Sequence, residues 1–113
     1  MSINKLKAEK IIVVNDVEYK ARMPIDTIMR IETALNCGLL KLAQRLTEAD
    51  ITLSEVVQFL TLALRGGGND IKEKEVKALV NSMGLVEAFK VTGEIIALAL
   101  DTNEEEKEKK NQE

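Results

Sequence analysis

The sequence predicts a mainly α domain that opens with a β-hairpin, and three observations carry the prediction. From residue 24 onward, apolar residues recur at spacings of three and four, the period of a helix with one buried face. The stretch before it is β-branched and alternates at period two, as a half-buried strand does. The chain has 113 residues, 45% of them hydrophobic and 31% charged, which suffices for one core and is too small for two. A single globular unit is therefore expected over residues 10–101, between a flexible N-terminus at 1–9 and a charged tail at 102–113.

The hairpin is expected over about 10–23. Lys10-Ile11-Ile12-Val13-Val14 forms the first strand and Val17-Glu18-Tyr19-Lys20-Ala21-Arg22-Met23 the second, joined at Asn15-Asp16. This dipeptide favours a turn less strongly than Asn-Gly, so the turn type stays open. Pro24 suits a first helical turn, and Ile25, Ile28, Ile31 and Leu35 follow at helical spacing, with Gly38 as the expected C-cap of a helix over about 24–36. Leu39, Leu40, Leu42, Ala43 and Leu46 make a shorter amphipathic helix over about 39–46. Thr52-Leu53-Ser54-Glu55 has the form of a capping box and should open a helix over about 53–65. Its apolar face, from Leu53 through Phe59 to Leu64, is opposed by Ser54, Gln58, Thr61 and Arg65. Gly66-Gly67-Gly68 stops that helix and is expected to be a flexible interhelical turn; the Lys-Ser/Thr of a phosphate-binding loop is missing.

Val76, Leu79, Val80 and Met83 form the stripe of a helix over about 72–82, which Gly84 ends. The last helix, about 85–101, has only Glu87, Lys90, Glu94 and Asp101 as a polar strip, so its position is expected to be at the centre of the fold. With so much apolar circumference it is also expected to support self-association into a homo-oligomer. From Thr102 the chain has no apolar residue, and a disordered tail is expected there.

Charge and composition narrow the function. Sixteen Lys and Arg against nineteen Asp and Glu give a net charge of −3 with no basic stripe, so nucleic acid is not an expected partner. Histidine is absent and cysteine occurs once, which removes imidazole acid–base chemistry, Cys/His dyads and most zinc sites. Neither a catalytic activity nor a metal or cofactor is expected. No stretch approaches the ~20 apolar residues of a membrane span, and no secretory leader is apparent, so no membrane partner and a cytoplasmic location are expected.

Binding is the function left. Candidate partner-contacting residues are Phe89, Ile95, Ile96, Leu98 and Leu100 on the last helix, together with Leu62 and Glu32. Helical spacing sets Glu32 among Ile25, Ile28 and Met29, where a lone carboxylate is costly. It must reach solvent, pair with Arg22 or Arg45, or serve as a conformational lock or partner contact. Cys37 has no activating neighbour in the sequence and is expected to be a packed thiol.

Several segments also match a known order of parts: Glu18-Tyr19-Lys20-Ala21-Arg22 in the hairpin, then Ile31-Glu32, Asn36-Cys37-Gly38 and Leu39-Leu40-Lys41-Leu42. Leu62-Ala63-Leu64-Arg65-Gly66-Gly67-Gly68, Glu75-Val76-Lys77-Ala78-Leu79-Val80 and Gly84-Leu85 complete it. In this order the chain resembles, over about residues 10–100, the small phage and gene-transfer-agent tail proteins regarded as tail-assembly chaperones, some of them described as phage tail tube proteins. The resemblance implies a non-catalytic phage or prophage protein whose partners are the tape-measure protein and the tail-tube protein, and which masks apolar surface until the tail polymerises. The alternatives are a structural minor tail or tube-associated protein and a small helical adaptor unrelated to tails.

Overall fold

The computed structural model describes the backbone over residues 9–112 and the side chains over residues 9–101. The flexible N-terminus expected at 1–9 lies outside that range except for Glu9, and of the tail expected to be disordered at 102–113 only the backbone of 102–112 falls within it. A two-stranded antiparallel sheet, β1 (Glu9–Val14) and β2 (Val17–Arg22), precedes five helices: α1 (Ile25–Leu35), α2 (Leu39–Thr47), α3 (Leu53–Gly66), α4 (Glu73–Met83) and α5 (Leu85–Gln112).

The register runs from Glu9 opposite Arg22 to Val14 opposite Val17. Asn15 and Asp16 both have positive φ, 53° and 65°, which is the two-residue turn whose twist matches that of the strands. Asn and Asp tolerate this left-handed backbone better than most residues, so the Asn-Asp pair does what Asn-Gly would do. Alternation then turns Ile12, Val14 and Ala21 into the core, while Ile11 and Val13 face out.

Two caps differ from expectation. Asn36, not Gly38, ends α1, taking φ 55°, and Gly38 with φ −71° is the N-cap of α2. A glycine three residues beyond a helix is compatible with either role, and here Asn36 already supplies the left-handed residue. At α3 the capping box forms as the sequence predicts: Thr52 Oγ1 accepts from Glu55 N at 3.1 Å, and Thr52 N donates to Glu55 Oε1 at 2.9 Å. Gly84, at φ 94°, ends α4 and starts the sharp turn into α5.

The centre belongs to α3 rather than to the last helix. Val56, Val57, Phe59, Leu60, Ala63 and Leu64 are all buried, and α3 packs on α1, β2, α4 and α5. Thr61, expected on the polar face, is buried too and donates its hydroxyl to the Val57 carbonyl at 2.7 Å. A threonine can line a core in this way because its own helix satisfies the hydroxyl. α5 lies against β1, α2, α3 and α4 and buries Ala88, Val91, Thr92, Ile95, Ile96 and Ala99.

The triple glycine is a packing device and not a flexible turn. Gly66 and Gly67 lie against the outer edge of β2: a Cβ on Gly66 would stand 2.6 Å from the Arg22 carbonyl oxygen and 2.5 Å from Thr27 Oγ1, and one on Gly67 would overlap the Lys20 carbonyl. Only hydrogen fits there. Asn69 then closes the edge, its Nδ2 donating to Lys20 O at 2.7 Å and to Leu64 O at 2.9 Å. One loop thus joins the end of the central helix to the hairpin.

Candidate partner-binding surface

The seven residues that the sequence proposes separate into four environments. Ile95 and Ile96, 0% and 2% exposed, are core side chains of the folded monomer. Phe89, Leu98 and Leu100 are half-buried along α5, with Phe89 and Leu100 packed against the core. Much of the apolar circumference that suggested self-association is therefore covered within one chain, because four elements surround α5. Leu62 is half-buried on α3, and there the surface opens.

Leu62 forms the floor of an open groove of about 370 Å³ whose other residues, Met29, Arg30, Thr33 and Ala34, all come from α1. Met29 is 58% exposed, and Ile25, one turn earlier, is 74% exposed. At 100° per residue Met29 lies about 160° around α1 from the buried Ile31, and Ile25 about 120°. Neither side chain serves the core. Arg30, at the rim, makes no ion pair among the described residues. The groove is apolar on its floor and cationic on one side, which suits an amphipathic helix laid along it. Helical spacing puts Ile25 on one stripe with Ile28, Ile31 and Leu35; the structure corrects this, since Ile25 lies with Met29, at i, i+4, off the arc that Ile31 and Leu35 bury.

Glu32 is a lock between helices. Its Oε2 accepts the N–H of Leu39 at 2.9 Å, satisfying one of the free donors at the start of α2 where the helix dipole also favours a negative charge. Gly38 as N-cap has no side chain to do this, and Glu32 replaces it from the preceding helix. Removing the acceptor with Glu32→Ala is expected to cost about 1 kcal/mol, the usual value of a helix cap. Glu32→Gln, which keeps an oxygen but loses the charge, should cost about 0.5 kcal/mol. Thermal melting of the two variants checks the order.

Arg45 stands apart from Glu32. Its Nη2 meets Glu55 Oε1 at 2.7 Å, Nε donates to the Asp50 carbonyl at 2.9 Å, and Nη1 lies 3.7 Å from Cys37 Sγ. One guanidinium thus ties the end of α1, the α2–α3 loop and the capping box of α3. The Arg45 side-chain bond, seconded by the Thr52 N–H, holds the Glu55 carboxyl below the usual carboxylate range. A depressed folded pKa adds stability that is present above the unfolded value, about 4.3 for Glu, and is lost as pH falls through the folded one. The thermal midpoint should accordingly fall on acidification below that range, and by less in Glu55→Gln, a comparison read directly from melting curves at stepped pH.

No group of three or more Asp, Glu or Cys is placed to hold a metal ion among the described residues, and no helix there is long and apolar enough to cross a membrane. A family model described as phage tail tube protein, GTA-gp10, matches residues 7–102. No curated protein and no solved structure matches the chain closely enough to establish a relationship.

Proposed function

Because the chain belongs to the phage tail tube protein, GTA-gp10, family, we propose that it is a tail-assembly chaperone that binds tape-measure and tail-tube proteins in the host cytoplasm before the tail polymerises. The observation that carries the reading is the α1–α3 groove, where a folded domain keeps Met29 and Leu62 accessible. Open apolar surface of this kind is a place for a partner helix, and a tape-measure protein that is not yet enclosed by its tube has apolar surface to cover. A second copy of the chain is the other proposed partner, through apolar residues that stay exposed.

The family description favours a second reading, a structural protein associated with the tube. A tube wall needs continuous sheets that pair between subunits, whereas the described residues hold a single two-stranded sheet, and this supports the chaperone reading. Quantitative mass spectrometry of purified, finished tails separates the two. A chaperone is absent or far below the tube subunit in copy number; a tube-associated protein is present in a fixed ratio to it.

A further inference from the structure

The two edges of the hairpin are treated differently. Val14 and Val17 flank a two-residue turn and exchange both hydrogen bonds, so bonding alternates along the ladder and the N–H and C=O groups of Ile11 and Val13 point away from β2. The opposite edge confirms the phase. Lys20, across from Ile11, turns its carbonyl outward to Asn69 Nδ2. While the α3 end and Asn69 thus cover β2, no hydrogen bond reaches the outward groups of Ile11 or Val13 among the described residues.

The open edge borders a cleft of about 110 Å³. One wall is β1 from Lys10 to Val14; the other is formed by Met83 and, on a single face of α5, Glu87, Val91 and Glu94. Lys10 Nζ pairs with Glu94 at 3.1 Å, but Glu87 has no partner among the described residues. Asn15 Nδ2, donating to Ser82 Oγ at 3.4 Å, holds the turn of the hairpin to the end of α4 and so keeps the cleft's width. On the outer face Ile11 and Val13 are 40% and 61% exposed, an apolar pair that would gain cover from a third strand.

We propose that this edge accepts an extended segment of a partner protein as a third strand, one that alternates basic residues with β-branched ones. The backbone of the segment pairs with Ile11 and Val13, its β-branched side chains extend the outer face beside them, and its basic side chains lie over Glu87 and Glu94. The excess negative charge of the cleft selects this partner over a second copy. Two-fold pairing of β1 with β1 would bring both sets of α5 carboxylates to one cleft, and like charges so placed repel.

Amide hydrogen exchange by NMR tests the assignment, using a synthetic octapeptide that alternates lysine and valine and a second that alternates glutamate and valine. With the basic peptide at saturation, the Ile11 and Val13 amides should exchange at least tenfold more slowly, and the acidic peptide should leave them unchanged. N-methylating the peptide's amides along the pairing edge should abolish the effect. Glu87→Lys, an exposed substitution, should weaken binding at least fivefold. Unchanged exchange at both amides, or equal protection by both peptides, would overturn the proposal. So would protection that grows with protein concentration alone, since it would give the edge to a second copy.

Discussion

Gly67→Ala is expected to destabilise the fold by about 3 kcal/mol, the upper part of the range for overpacking, because the added methyl meets the backbone of β2 and backbone cannot turn aside as a side chain can. For a domain of this size that is a fall in melting temperature on the order of 10–15 °C. Its φ of −84° is open to any residue, so the cost is one of space and not of backbone conformation. Gly38→Ala makes the contrast. Its Cβ would lie at an ordinary 3.6 Å from Glu32 Oε2, and the lost cap preference and the lowered unfolded-state entropy oppose one another, leaving a change within about 0.5 kcal/mol. Equal effects at the two glycines would mean that the loop does not clamp the hairpin.

Met29→Lys and Leu62→Ala are expected to weaken binding of the tape-measure protein by ten- to a hundredfold each, or roughly 1.4–2.8 kcal/mol, the size of a central apolar contact. Met29 is exposed and Leu62 half-buried, so the fold should survive both. Ile95→Val makes the opposite test: a fully buried side chain loses one methyl group, at about 1 kcal/mol of stability, without changing the groove. Binding measured by isothermal titration, with melting on the same samples, separates the two effects. Reduced affinity in Ile95→Val but not in Met29→Lys would transfer the contact surface from α1 and α3 to α5.

Local signals made most elements legible in the sequence. The β-branched run at 10–14, the alternation at 17–23, the Thr52–Glu55 box and Gly84 each act within a few residues, and each element that they predict forms. What could not be read depends on contacts between distant segments. The role of Gly66 and Gly67 lies in the carbonyls of Arg22 and Lys20, more than forty positions away, and a lone glycine run offers no sign of what approaches it. Likewise Glu32 looked misplaced on the wheel of α1 because its partner, the N–H of Leu39, belongs to the next helix. The sequence points to α5 as the partner surface, because apolar residues are most crowded there. Crowding measures how much a helix can bury, and Ile95 and Ile96 are consumed by the core. The informative residues are the apolar ones that the fold sets off the buried arc of α1, Ile25 and Met29, together with Leu62, the member of the sequence-derived set that lines the groove.

Sedimentation velocity of the purified chain mixed with the tape-measure protein of the same tail tests the central claim most directly. A chaperone should co-sediment with it as a soluble complex of defined mass, and the complex should give way when tube protein is added and the tail polymerises. Independent sedimentation of the two proteins, with the tape-measure protein aggregating to the same extent whether or not the chain is present, would contradict the account.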